Sequence, residues 1–144
     1  GDPEQVQDVS QDRAGILVDG VSSSVFEEYN EDIDTPPGSV PVNGPFFGYG
    51  FLMKKTGLAL TQGNEIRGGY FGPNINGGPI KLEAGVVHTT IRRCSIGTYN
   101  ITDNASFTYF DMVHMSQLSQ LQGTGTNRRG FVSLSDGSVT QLHI

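Results

Sequence analysis

The chain has 144 residues, of which nine are basic and fifteen acidic, so its formal charge is −6. This length is typical of one domain, and the negative charge disfavours binding to nucleic acid and to anionic membranes. No apolar run approaches the roughly 18 residues of a membrane-spanning helix. The single cysteine, Cys94, excludes an internal disulfide. We therefore expect neither nucleic-acid binding nor membrane insertion.

Twenty glycines and seven prolines separate short β-branched and aromatic runs, and no long segment has the spacing of an amphipathic helix. Residues 1–13 are polar and aperiodic, which predicts a flexible lead-in or linker. Residues 14–144 are predicted to form a single all-β domain. The Asp-Gly pairs at 19–20 and 136–137 each favour a hairpin turn.

The predicted strands cover residues 16–18, 21–26, 46–53, 58–62, 66–71, 80–82, 86–91, 94–101, 106–115, 131–134 and 139–144. Met115, Leu118 and Leu121 repeat every third residue and predict one short helical turn. About ten short strands with turn signals between them indicate an antiparallel β-sandwich of the jelly-roll-like type. A short parallel β-helix is the alternative.

The segment 106–115 carries apolar side chains on both faces of its predicted strand. A small monomeric sandwich would struggle to cover both faces, so we expect an interface in a symmetric homo-oligomer, with a trimer favoured. The predicted interface residues are Phe107, Tyr109, Phe110 and Met112.

No catalytic or metal-binding pattern stands out. The sequence has no nucleophile elbow and no phosphate-loop context, and His88, His114 and His143 lie on different predicted strands without metal-ligand spacing. Asp111 and Glu83 are the least implausible carboxylate pair for glycoside hydrolysis, although a structural role is favoured for Asp111. We expect no enzymatic activity, no cofactor and no metal site.

A glycine-rich loop provides the first candidate ligand site. Tyr70, Phe71, Asn74 and Asn76 combine an aromatic platform with planar amides. An aromatic ring covers the apolar face of a sugar while amides bond its hydroxyl groups. A turn with packed aromatic side chains is the alternative interpretation.

One of the two arginine doublets provides the second candidate ligand site. Arg128 and Arg129 lie in a loop beside the last hairpin and are candidates for recognising a carboxylate or sialic-acid-like group, with an ordinary solvated loop as the alternative. Arg92 and Arg93 are predicted to be strand neighbours that point to opposite faces, so we do not expect them to act as one patch.

Residues 46–144 resemble the distal domains of viral attachment proteins, such as bacteriophage tail fibres and tailspikes and viral fibre or spike heads. The resemblance rests on short Gly/Asn/Thr-rich strands with few charges, and the segments 64–72 and 88–97 look like rungs of the parallel β-helix of tailspikes. It implies a symmetric domain at the virion surface that binds a host receptor or glycan. A structural capsid protrusion domain and a polysaccharide depolymerase fragment are the alternatives.

Overall fold

The structure, a computed structural model, describes residues 14–27, 30–31, 49–71 and 78–143. Short strands dominate this part of the chain. The strands are β1 (Ala14–Asp19), β2 (Val25–Glu27), β3 (Asn30–Glu31), β4 (Tyr49–Lys54), β5 (Glu65–Arg67), β6 (Tyr70–Phe71), β7 (Ile80–Leu82), β8 (Thr90–Arg92), β9 (Ile101–Asp103), β10 (Tyr109–Met115), β11 (Leu121–Gln122), β12 (Arg129–Leu134) and β13 (Val139–His143). A 3-10 turn at Leu118–Gln120 lies between β10 and β11, where the sequence predicts a helical turn. The predicted lead-in, residues 1–13, lies outside the described residues.

The chain winds through stacked coils, each of which gives one strand to each of two sheets. The first sheet has the order β1-β4-β7-β9-β11 and is parallel throughout. The second has the order β13-β12-β10-β8-β5-β2 and is parallel except for β13, which pairs with β12 in antiparallel fashion. The prediction of an antiparallel jelly-roll-like sandwich is therefore wrong. Parallel stacking is what the alternative, a short parallel β-helix, requires.

Stacking in register places equivalent apolar residues above one another in the core. Phe51, Ile80 and Ile101 form one such column in the first sheet. Ile66, Ile91 and Phe110 form the facing column in the second sheet. All six are fully buried and belong to one hydrophobic cluster, so the two sheets are held together mainly by the burial of these side chains. The segments 64–72 and 88–97 include β5 and β8, which pair in register.

Each coil turns from one sheet towards the other at the same place, which we call the first corner. The corner residues have positive φ angles between 55° and 67°, and the amide of each of the first four donates to the coil that follows. These residues are Ser23, Gly63, His88, Phe107 and Asn127. Non-glycine residues rarely adopt this conformation, and the repeated corner sets the width of every coil.

A second corner follows the strands β5 and β8 and interrupts β10. Gly68, Arg93 and Met112 occupy it with φ angles of 66°, 54° and 53°. Met112 is a bulge, because the register between β10 and β12 shifts between Asp111 and Val113.

The bulge explains the apolar residues on both faces of the segment 106–115. Phe110, Val113 and Met115 all point into the core, whereas strict alternation would place Phe110 opposite the other two. Phe110 is fully buried inside the monomer, which corrects its assignment to an oligomer interface. Phe107, Tyr109 and Met112 are exposed, and their interface role stays a prediction.

The two Asp-Gly pairs have different structures. Asp136-Gly137 forms the predicted hairpin between β12 and β13, with the Leu134 amide donating to the Ser138 carbonyl at 2.9 Å. Asp19-Gly20 does not form a hairpin, because β1 and β2 belong to different sheets. Two strand predictions also fail. Residues 58–62 form only an isolated bridge at Gln62, and in the predicted strand 94–101 only Ser95, in an isolated bridge, and Ile101, the first residue of β9, are paired.

Candidate functional site

The side chains of the second sheet that point away from the core form a surface that we call the outer face. In-register pairing arranges them in two columns across the coils. One column contains Val25, Glu65, Thr90, Tyr109 and Arg129. The other contains Glu27, Arg67, Arg92, Asp111 and Phe131. The outer face is therefore charged at β5, whereas β10 and β12 each present one aromatic and one charged side chain.

Ion pairs connect the charged part of the outer face. Arg67 pairs with Glu27 at 2.8 Å and also with Glu65, while Arg92 lies 3.6 Å from Glu65 and 3.1 Å from Asp111. The hydrogen bond to Glu65 is the main cause that raises the pKa of Arg67 above its ordinary value. The guanidinium group of Arg67 therefore stays charged at any physiological pH.

A cavity of about 490 Å³ opens beside these ion pairs, lined by Glu27, Arg67, Gly68, Arg92 and Arg93. Arg93 reaches it because the second corner breaks the alternation of the strand. The expectation that Arg92 and Arg93 cannot act as one patch is therefore wrong. Three guanidinium groups face one carboxylate in this lining, in a chain with only nine basic residues.

One donor in this cavity wall has no acceptor within the described residues. The Nε atom of Arg92 is buried and makes no hydrogen bond. It lies 3.1 Å from the Oδ2 atom of Asp111, so the attraction between the charges persists, but the geometry falls short of a hydrogen bond. Because this atom is buried, Arg92 is held in place by its ion pairs with Asp111 and Glu65.

Two aromatic side chains stand on the outer face at the other end. Tyr109 is 42% exposed and Phe131 is 40% exposed. Tyr109 is directly opposite Arg129, and Phe131 is directly opposite Asp111, so the rings are diagonal neighbours with Cα atoms roughly 8 Å apart. Gln141 pairs with Phe131 from β13 and is also exposed. Of this pair, the sequence predicts a functional role only for Tyr109, at an oligomer interface, and none for Phe131.

Arg128 lies inside the protein, which corrects its assignment to ligand binding. Its Nε atom donates to the Asp103 carboxylate at 2.9 Å, and its NH2 group donates to the carbonyls of Asp103 and Gln122. The side chains of Arg128 and Asp103 are 6% and 0% exposed. The residue after four of the five first corners is buried, as Asn64, Thr89 and Thr108 also show, whereas Ser24 is only half-buried. Arg129, in contrast, is exposed on the outer face.

The loop predicted to bind a sugar is only partly described. Tyr70 and Phe71 form β6, which pairs with β3 in parallel. Asn74 and Asn76 lie outside the described residues. A sugar site at this loop stays a prediction.

The histidines and carboxylates are dispersed. His88 stacks on Phe107 at 4.9 Å between ring centroids, and His114 lies within hydrogen-bonding distance of Ser133. Among the described residues, no group of three or more His, Cys, Asp or Glu side chains is placed to hold a metal ion. Asp111 is on the second sheet, whereas Glu83 follows β7 of the first sheet and pairs with Lys81 at 3.9 Å.

Comparisons of the chain with protein-family models, curated proteins and solved structures find no match. Within the described residues, no helix has the length and apolar character to cross a membrane. The cavity and the exposed aromatic pair both lie on the outer face, so this surface is the candidate functional site.

Proposed function

We propose that this chain is a non-catalytic carbohydrate-binding domain and that the outer face of the second sheet binds the glycan. The observation that carries this proposal is the exposed pair Tyr109 and Phe131 beside Arg129 and Gln141. The aromatic rings offer an apolar surface for the C–H face of a sugar, while the guanidinium and amide groups offer hydrogen bonds to its hydroxyl groups.

The sheet also supplies rigidity. Tyr109 and Phe131 stand on neighbouring strands, β10 and β12, that pair along their whole length and are anchored by the buried Phe110 and Val132. A platform fixed in this way loses little conformational entropy when a ligand binds. On the resemblance to distal domains of viral attachment proteins, we propose that the glycan belongs to a host-cell receptor and that the domain acts at the virion surface as a homotrimer.

A glycan array followed by calorimetric titration of the strongest hit tests the binding proposal. Tyr109→Ala and Phe131→Ala should each weaken binding by about tenfold, because each removes one stacking surface. Leu58→Ala is the matched control, since Leu58 is an apolar residue 99% accessible to solvent that lies in the loop between β4 and β5 and not on the outer face. Equal affinity for all four proteins would contradict the proposal, as would an array without any hit.

A structural assembly domain is the second candidate. The exposed residues Phe107 and Met112 flank the aromatic pair, and a protein interface would cover all four side chains. Light scattering separates the two candidates. An oligomer that dissociates in the Phe107→Ala and Met112→Ala variants, with no glycan bound by the wild type, would favour assembly over carbohydrate binding.

A further inference from the structure

We infer that the cavity lined by Arg67, Arg92 and Arg93 binds the acidic group of a saccharide, either a carboxylate or a sulfate ester. This inference rests on the proposed carbohydrate binding and names the class of glycan. Its basis is the convergence of three guanidinium groups on one cavity of about 490 Å³. Guanidinium groups present paired donors that match the oxygens of such anions.

The cavity lining is positive although the chain is negative. The described lining residues carry three positive charges and one negative charge, that of Glu27, whereas the whole chain has a net charge of −6. The carboxylates of Glu65 and Asp111 pair with Arg67 and Arg92, so the charge of Arg93 is the one that these carboxylates do not offset. A long polyanion such as duplex DNA would meet repulsion beyond this cavity. A single acidic group on a largely neutral glycan would not, and this difference favours the saccharide.

The ion pairs within the cavity do not prevent binding. Glu27 is 58% exposed at its contact with Arg67, and such exposed pairs contribute little to stability. An incoming anion can displace the Glu27 carboxylate at small cost. Arg93 is exposed and lines the cavity, so it is the guanidinium group most open to a ligand. Arg92 is shared with Glu65 and Asp111 through ion pairs of 3.6 Å and 3.1 Å.

The second corner creates the space. Gly68 has a φ angle of 66°, and a Cβ atom added there would meet nothing within 4 Å. The equivalent residue in the next coil is Arg93, whose side chain borders the opening that Gly68 leaves. The same column of the outer face leads from Arg67 through Arg92 and Asp111 to Phe131. These three strand spacings span roughly 14 Å, so one oligosaccharide can occupy the cavity and the aromatic pair together.

Matched pairs of glycans test the inference: sialylated against asialo, uronate against its methyl ester, and sulfated against desulfated. The wild type should bind the acidic member of its preferred pair about tenfold more tightly, and Arg93→Ala should remove this preference. Arg93→Lys should restore part of it, because the charge returns without the planar fork. Lys55→Ala, which removes a positive charge from a different loop, should leave the preference unchanged.

The outcomes separate the two proposals. Equal binding of both members, weakened by Tyr109→Ala but not by Arg93→Ala, would overturn the acidic-group inference and leave carbohydrate binding intact. Failure of every glycan to bind would overturn both. Binding of duplex DNA or of inorganic phosphate in place of any glycan, with loss in Arg93→Ala, would overturn the assignment to a saccharide.

Discussion

The two arginine doublets of this chain, Arg92-Arg93 and Arg128-Arg129, have the same sequence, but their side chains are placed differently. Both members of the first doublet line one cavity on the outer face. The second doublet is divided, because Arg128 is buried against Asp103 while Arg129 is exposed. Side-chain direction here depends on where a residue stands relative to a corner.

The corners account for both cases. Arg92 is the last residue of β8, and its side chain points away from the core. Arg93 occupies the second corner, where side chains no longer alternate between the two faces of the strand. Arg128 follows the first-corner residue Asn127 and points inwards, and Arg129 then begins β12 on the outer face. A positive charge placed inwards acts on stability, whereas one placed at the cavity is available to a ligand.

The largest effect should come from the interior member. Arg128→Ala leaves the fully buried Asp103 carboxylate without its cation, and we expect a loss of about 3–5 kcal/mol in the free energy of unfolding. Arg93→Ala and Arg129→Ala should each stay within about 0.5 kcal/mol, as exposed substitutions usually do. Urea denaturation of the three variants measures the contrast, and three equal losses would refute the comparison of the doublets.

The next largest loss of stability should come from a substitution at Gly130, the neighbour of Arg129. Gly130 has a φ angle of 112°, and an added Cβ atom would lie 1.9 Å from the Phe110 carbonyl oxygen. Gly130→Ala should therefore destabilise the fold by about 1–3 kcal/mol more than Gly137→Ala. Gly137 is the matched control, since its φ angle is 89° but an added Cβ meets nothing within 4 Å. Thermal unfolding compares the two, and equal shifts would show that the close contact does not matter.

The smallest effect concerns Cys94, the residue that follows the cavity doublet. Burial raises the pKa of its thiol above the ordinary value, so the native thiol should react with an aromatic disulfide reagent only after unfolding. A raised pKa means that the native state holds the proton more tightly. This contribution to stability is complete below the unfolded pKa and is lost as the pH rises through the folded pKa. Rapid labelling of the native protein at pH 8 would show instead that the thiol is accessible.

The sequence predicts the β-rich character and many strand positions, because alternating apolar residues leave the same signal in a sandwich and in a parallel coil. Whether two strands pair in a parallel or an antiparallel direction cannot be predicted from the same signal. Asp136-Gly137 and Asp19-Gly20 carry the same turn signal, yet only the first joins two strands of one sheet. Partners in the parallel pairs lie 19 or more residues apart, as Ile91 and Phe110 do, and no local pattern reveals them.

The site was harder to predict, because it depends on the corners. Phe107 and Met112 adopt positive φ angles that their residue types do not signal. A period of two therefore misplaced Phe110 and Arg93, and the prediction of a loop misplaced Arg128. The signal that would have helped is the spacing of coil equivalents, such as Thr89, Thr108 and Arg128, each of which follows a corner and is buried.

Chemical-shift mapping tests the central claim, that the outer face of the second sheet binds an acidic glycan, most directly. The ¹⁵N-labelled chain would be titrated with the acidic oligosaccharide that binds most strongly on the array. We predict that the largest shifts fall on the amides of Gly68 and Arg93 at the second corner and on those of Asp111 and Phe131, which belong to one column of the outer face. Shifts concentrated on the first sheet or on the loop at 55–60, with the outer face unchanged, would contradict the claim.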